Sequence, residues 1–464
     1  MPEPLWSTVE LERATGGRIE GGAFAANGVS IDTRTIEPGD LFVALAGVRD
    51  GHEFAAQALA KGAAGVLASR PVNGPSLQVA DVFAALEGLA VAARERAPQA
   101  QRGAVTGSVG KTSVTQAVRA GLMRAGRAHS SVKSYNNHIG VPLTLARMPR
   151  DTERAVFEIG MNHADEIRPL ARMVRPHAVA ITTVGPVHVE NFPDGEAGVA
   201  RAKAEIFEGI EPGGTAILNA DNVWFDQLSA AARTAGAKVL SFGAAPIADA
   251  RLTGFRVEGA RAIVSARLTD APIDFPILQT GVHWGPNSLA VLLLLEALGV
   301  SRDDGLAVLA EFEPLEGRGA EKTIPLPGGA FTLIDESYNA NPISMAAAIA
   351  SLGARKVQGR RIVAVTDMLE LGDAAKNFHA ALAEPLDQAQ VDQVFCAGPL
   401  MQSLWDALPS TRRGGYAVAA ADLAPRVAKA VEPGDVVMVK GSNGSRAGDI
   451  ARALAGLDPR SGGA

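Results

Sequence analysis

The stretch Val105-Thr106-Gly107-Ser108-Val109-Gly110-Lys111-Thr112 decides how this chain is read. Gln101-Arg102-Gly103-Ala104 leads into it and Ser113-Val114-Thr115-Gln116-Ala117-Val118 follows. We read residues 103–106 as the end of a strand and Lys111 as the start of a helix that runs to about Ala125. A glycine-rich turn between the two exposes backbone N–H groups. Those donors, the helix N-terminus and the Lys111 ammonium form a cradle for polyphosphate. The Thr112 hydroxyl is placed for a magnesium ion. The usual pattern opens with glycine where Val105 stands, so the loop is a variant. A glycine turn in any parallel-sheet protein is the plainer reading. The Gly-Lys-Thr ending at a strand–helix junction weighs against it.

A chain of 464 residues exceeds one ordinary domain. Its formal net charge of -6 argues against a general nucleic-acid or anionic-membrane binder. A single cysteine, Cys396, excludes an intramolecular disulfide and fits a reducing compartment. Met1-Pro2-Glu3-Pro4-Leu5-Trp6 has no basic region followed by an apolar run, and Leu292-Leu293-Leu294-Leu295 is closed off by Glu296. We therefore expect a cytoplasmic protein with neither nucleic acid nor membrane as partner.

Three α/β domains are expected. Residues 1–82 form a small N-terminal domain. Short strands are expected over residues 29–31, 41–45, 65–68 and 77–79, with a helix over 53–61. Arg34, between a strand and a turn, is either a surface arginine or a contact for an anionic ligand. Asp81 is the expected cap of a helix over residues 82–94 that connects to the next domain.

Residues 83–313 form a central, P-loop ATPase-like, doubly wound domain. Ser134-Tyr135-Asn136-Asn137-His138 is a polar loop running into a Gly140-Val141-Pro142 turn. Glu158 ends the buried strand Ala155-Val156-Phe157, and carboxylates at parallel-strand ends face the ligand crevice. It is a candidate magnesium ligand beside Thr112. His188 follows a β run over residues 178–184; taken alone, it is as easily structural as functional. A helix over residues 196–210 carries Lys203, and Gly281 to Asn287 opens a helix through Leu298. Residues 252–275 read as antiparallel edge strands.

Residues 314–464 form a Rossmann-like C-terminal domain. Glu313 to Gly319 is a hinge carrying Arg318. Strands over residues 331–335, 361–366, 393–398 and 435–441 alternate with helices, without a lysine-bearing phosphate loop. This domain is read as completing a site that the central one begins.

Taken together, these motifs resemble the Mur ligase superfamily over the whole chain. Thr106 to Thr112 resembles its phosphate loop. Asp335-Glu336-Ser337-Tyr338-Asn339-Ala340-Asn341-Pro342 with Ser344-Met345 is the most specific mark. Asp367-Met368-Leu369-Glu370-Leu371-Gly372, the paired asparagines, and Ser30-Ile31-Asp32-Thr33-Arg34 also fit. The resemblance implies a ligase of peptidoglycan precursor synthesis, usually a monomer. It would join D-alanyl-D-alanine to UDP-N-acetylmuramoyl-tripeptide with ATP and Mg2+, through an acyl phosphate. It implies ATP contacts from Thr106, Gly107, Ser108, Val109, Gly110, Lys111, Thr112, His283, Asn287, Arg318, Asp335, Asn339 and Asn341. Thr112, Glu158, His188 and Lys203 would serve metal ions, with Lys203 carrying an N6-carboxylate. Lys111, Lys203, Glu158 and His188 would carry the catalysis. Ser30 and Arg34 would lie near the UDP-sugar, and Asn136, Asn137, Lys440 and Ser442 near the remaining substrate. Two departures stand out: Trp284 where asparagine is usual, and Thr366 where glycine is usual.

The rivals are a superfamily ligase adding a single amino acid or glutamylating a folate, an ATP-driven switch without ligation, and a binding module. The Tyr338-Asn339-Ala340-Asn341-Pro342 loop weighs against the first. A switch would hydrolyse ATP without an amine. The phosphate loop and Glu158 together weigh against the last.

Overall fold

The structure, a computed structural model, describes residues 3–131, 133–268 and 271–458; Met1 and Pro2 of the N-terminal stretch read above lie outside them. It is a three-domain α/β protein built on three sheets. The first sheet has five strands in the order Arg18–Glu20, Ser76–Gln78, Gly65–Ala68, Asp40–Val43 and Gly28–Ser30, parallel except for the first. The second has nine strands. Gln101–Thr106 lies at its heart, with Ala178–Ile181 on one side and Arg154–Glu158 on the other. An antiparallel set, Ala250–Glu258, Arg261–Leu268 and Ala271–Ile277, closes one edge as expected. The third has six strands, in which Gly329–Glu336, Val436–Lys440, Arg361–Thr366, Gln393–Ala397 and Arg413–Ala417 run parallel.

These central strands are continuous apolar runs because helices cover both faces. All but the first residue of Arg361–Thr366 are buried, and all five of Val436–Lys440. Register then sets the site. Val105 lies opposite Glu158 and Thr106 opposite Ile181, so the phosphate loop, Glu158 and the residues after Ile181 leave the sheet at one edge. That edge is where ligands of doubly wound sheets bind.

Helix Lys111–Ala125 starts from Gly110 at φ 85°, a left-handed conformation that glycine adopts without a Cβ clash. It packs on helix Trp284–Ala297, whose residues 289–295 are all apolar and all buried. Helix Val82–Glu95 is capped by the Asp81 carboxylate, which accepts from Phe83 N at 2.8 Å and Ala84 N at 3.0 Å. It does more than connect. Val82, Ala85, Leu86, Leu89 and Ala93 join the core of the first sheet, while Ala90 joins that of the second.

Several local expectations are corrected. Gly140-Val141-Pro142 is not a turn but opens helix Gly140–Ala146. Proline is tolerated there because first-turn N–H groups have no intrahelical acceptor. The helix bearing Lys203 ends at Ala204 and tightens into the 3-10 turn Glu205–Gly209. Gly209 lies so close to Ala171 that an added Cβ would sit 2.1 Å from its backbone. The helix expected over residues 53–61 is a 3-10 turn, Gly51–Phe54, followed by Ala55–Ala60. The unanticipated strand Ala320–Leu326 pairs antiparallel with Gly329–Glu336 at the edge of the third sheet. It contains Pro325, which an edge strand accommodates and which hid it in the sequence.

Candidate functional site

A cleft of about 450 Å³ opens where the central and third domains meet. The phosphate loop forms its floor and is stitched to the segment after Ala178–Ile181. Ser108 N donates to Thr183 O at 2.8 Å, Ser108 Oγ to Gly185 O at 3.1 Å, and Thr182 Oγ1 to Val109 O at 2.5 Å. Gly107, at φ +148°, passes so near Thr182 that a Cβ would lie 1.9 Å from its hydroxyl. The Lys111 ammonium folds back onto Gly107 O at 2.7 Å. Burial lowers its pKa; Glu158 opposes that shift and Arg318 adds to it. Lys111, Thr112 and Ser113 of the first turn of helix Lys111–Ala125 line the cleft, and first-turn amides have no intrahelical acceptors.

Glu158, only 2 % exposed, spends one oxygen on two donors. Oε1 accepts from Ser134 Oγ at 2.8 Å and Asn136 Nδ2 at 2.6 Å, while Oε2 is buried with no partner. His188 caps a 3-10 turn at φ 57°. Its Nδ1 lies 2.9 Å from a Glu370 carboxylate oxygen but outside hydrogen-bond geometry, so the nitrogen is an orphan. Burial first, then the charges of Lys111 and Lys203, push the imidazole down to about 4, leaving it neutral with a free lone pair. Lys203 is 3 % exposed. Burial and Lys111 hold its pKa well below the ordinary lysine value, and no hydrogen bond or ion pair holds its amine among the described residues. The bare Glu158 carboxylate oxygen and the Thr112 hydroxyl beside the polyphosphate donors are the oxygen ligands that suit a hard divalent cation, and the neutral His188 imidazole is a nitrogen donor lining the same cleft.

The third domain supplies the roof. Arg318 stacks its guanidinium 4.0 Å from the centre of the Tyr338 ring. Asn339 and Asn341 line the cleft, and Asn341 also caps helix Pro342–Gly353 by accepting from Ser344 N at 2.9 Å. Lys440, 2 % exposed, donates to Asn339 O at 3.0 Å and lies 3.4 Å from Glu336 Oε2. The two domains touch around the cleft. Val282 N donates to Ser351 Oγ at 3.1 Å, and Thr280 bonds Glu321, which Arg355 grips at 2.6 Å through each oxygen.

The residues singled out in the sequence thus divide. Ser108, Val109, Gly110, Lys111, Thr112, Asn136, Glu158, His188, His283, Asn287, Arg318, Asn339, Asn341 and Lys440 line the cleft. Thr106 and Gly107 lie beneath its floor. Lys203 stands behind it, near enough for its charge to act on His188. Asp335 does not line it; its Oδ1 accepts from Ser337 N at 3.0 Å and holds the turn. Asn137 Oδ1 accepts from Gly140 N at 2.9 Å, and the Ser442 hydroxyl bridges Leu369 N and Ala340 O. Ser30 is buried and donates to Asp32 O, while the exposed Arg34 pairs with Asp32 on the first sheet, away from the cleft. Ser134, Thr182, Thr183, Asn219, Glu336 and Tyr338 line the cleft and were not picked out as site residues. Polar residues just past parallel strands were the available signal. The departures are both absorbed by packing. Trp284 is buried against Phe312, ring centres 5.9 Å apart. Thr366 bonds Ser445 at 2.6 Å and is admitted because residue 441 is glycine, whose Cβ would lie 1.7 Å from the threonine oxygen.

Residues 105–295 match the Mur ligase middle domain, 324–443 the Mur ligase glutamate ligase domain, and 25–112 the Mur ligase family catalytic domain. The chain is 34% identical over 452 residues to the UDP-N-acetylmuramoyl-tripeptide–D-alanyl-D-alanine ligase of Escherichia coli (strain K12), covering 96% of this chain and 97% of that protein. It is 31% identical over 445 residues to the ligase of the same name from Rickettsia prowazekii (strain Madrid E), covering 95% and 97%. A crystal structure of MurF from Acinetobacter baumannii superposes with a TM-score of 0.86 at 28% identity, over 98% of this chain and 99% of that one.

Proposed function

The chain belongs to the Mur ligase family, and from that premise we propose that it joins D-alanyl-D-alanine to UDP-N-acetylmuramoyl-tripeptide while cleaving ATP to ADP and phosphate. The observation that carries the reading is a single cleft. A phosphate loop and a bare buried carboxylate from one sheet face an arginine, two asparagines and a lysine from another. A carboxylate and an amine do not condense unaided at useful rates, so the chemistry needs activation.

In this reading the ATP phosphates rest on the amides of Ser108 to Thr112 with the Lys111 ammonium on the terminal groups. His283 and Asn287 lie toward the nucleoside. A tripeptide carboxylate oxygen attacks the γ-phosphorus, the bond to the β-phosphate oxygen breaks, and ADP leaves. Lys111 and Arg318 face the charge that spreads over the transferring group. The dipeptide amine then attacks the acyl phosphate carbon, loses a proton, and phosphate departs as the amide forms. The acyl phosphate survives only if water is kept out, which the contacts of the third domain over the cleft serve. Lys440 is assigned to the peptide end, Ser30 and Arg34 to the UDP-sugar end, and Asn136 to the substrate between them, while Asn137 and Ser442 hold the backbone beside them.

Thr112, Glu158 and His188 would hold magnesium, which when bound screens the triphosphate charge and polarises the phosphoryl group. Lys203 is assigned a carbamate. Its unprotonated amine would attack carbon dioxide, forming an N–C bond and releasing one proton, and the resulting carboxylate would add an oxygen ligand. The buried, unpartnered amine supports this. Nucleotide-linked substrates and a single, buried, free cysteine support a cytoplasmic setting. Among the described residues no helix is long and apolar enough to cross a membrane.

The test supplies ATP, magnesium and UDP-muramoyl tripeptides bearing diaminopimelate or lysine, with D-alanyl-D-alanine or single amino acids. The expected result is phosphate release matched by a pentapeptide mass with the dipeptide. Phosphate release without any amine, or product only with a single amino acid, would overturn the assignment. Labelled carbon dioxide retained at Lys203, read by carbon NMR, tests the carbamate.

A further inference from the structure

A side chain outside every assignment above ties two of the proposed metal ligands together. Ser134 sits in the loop after the short strand Ala128–Ser130. That loop is pinned by Gln116 Nε2 donating to Ser131 O at 2.9 Å and Gly160 N donating to Asn136 O at 2.7 Å. Thr112 Oγ1 donates to Ser134 Oγ at 3.3 Å, and Ser134 Oγ donates to Glu158 Oε1 at 2.8 Å. Asn136 Nδ2 donates to both, at 3.0 Å to Ser134 Oγ and 2.6 Å to Glu158 Oε1.

A hydroxyl has one proton and two lone pairs. The Ser134 proton goes to Glu158 and its lone pairs take Thr112 and Asn136, so nothing about it is free to turn. The Thr112 proton is thereby committed to Ser134, which leaves the lone pairs of Thr112 for a cation. On Glu158, two donors saturate Oε1 and leave Oε2 bare. We propose that Ser134 is a positioning residue for the metal site, leaving the lone pairs of the Thr112 hydroxyl for the cation and restricting Glu158 to one ligating oxygen. This rests on the ATP-and-magnesium reading above. Partners of this kind behind metal ligands typically change affinity by about 10- to 100-fold.

The experiment titrates Mn2+, in place of magnesium, into the full chain saturated with a non-hydrolysable ATP analogue, following free Mn2+ by electron paramagnetic resonance. Ser134→Ala is expected to weaken Mn2+ about 10-fold while metal-free nucleotide affinity holds. Ser134→Thr, which keeps the hydroxyl, is expected to keep the affinity. Raising magnesium is expected to restore the turnover of S134A. Asn136→Ala leaves the Thr112–Ser134–Glu158 chain in place and is expected to cost less than S134A. Wild-type Mn2+ affinity in S134A, equal losses in S134A and N136A, or an equal loss of metal-free nucleotide binding would overturn the proposal. If the wild type itself bound no nucleotide, the ligase reading would fail with it, so the two failures are distinguishable.

Discussion

Gly107→Ala is the sharpest probe of the phosphate loop. The new Cβ would lie 1.9 Å from Thr182 Oγ1 and 3.2 Å from Thr182 N, on a backbone with φ +148°. An L residue in so sparsely populated a region costs about 1–3 kcal/mol. Moving the Thr182 hydroxyl aside also forfeits its 2.5 Å bond to Val109 O, worth about 1 kcal/mol. Together, about 2–4 kcal/mol would be set against the phosphate-binding shape of the loop. That corresponds to ATP binding weakened between about thirtyfold and about a thousandfold. Thermal stability should change far less, because the loop can relax without opening the sheet. The assay is calorimetric titration with a non-hydrolysable ATP analogue, run as a double-mutant cycle with Thr182→Ala. With the threonine hydroxyl gone, the 1.9 Å clash is removed and the backbone strain and the 3.2 Å contacts to Cβ and N of residue 182 remain, so the G107A penalty should shrink by about 1 kcal/mol or more. Native affinity in G107A, or strictly additive losses, would refute the steric account.

Replacing Lys111 with alanine should lower kcat by about a hundredfold or more in a coupled phosphate-release assay, since its ammonium is assigned to the charge that develops on the phosphoryl group. Asn341→Ala removes the cap of helix Pro342–Gly353 and should cost about 1 kcal/mol in urea unfolding. His129 gives a pH signature. Burial lowers its pKa from 6.5 to about 4, with Nε2 2.7 Å from Thr144 O. The unfolded chain therefore binds the extra proton first. The stability due to His129 is complete above pH 6.5 and drains away as pH falls toward 4. With the residue as a whole only half-buried, this amounts to about 2–3 kcal/mol. Unfolding midpoints of wild type and His129→Asn between those pH values should converge on acidification; parallel curves would show that the histidine is not responsible.

What could be read from the sequence was local. The phosphate loop, the Asp81 cap and the alternation of apolar runs with polar strand ends each depend on residues a few positions apart. Glu158 was found because it ends a buried run. Ser134 was not, because it acts through Thr112 and Glu158, each 22 or 24 positions away. Asn137, Asp335 and Ser442 look as polar as their cleft-lining neighbours in the sequence, yet each spends its side chain on nearby backbone.

The order of residues alone determined that a glycine-rich strand–helix junction with a lysine exists, and that two further α/β units flank it, because backbone propensity and hydrophobic period are short-range properties. Sheet register decided that Glu158 stands opposite Val105, and packing between two domains brought Arg318 and Lys440 over the same loop. The two departures were settled in the same way, by Phe312 beside Trp284 and Gly441 beside Thr366. Such contacts join residues tens to hundreds of positions apart, and only the folded packing of the chain determines which of them meet.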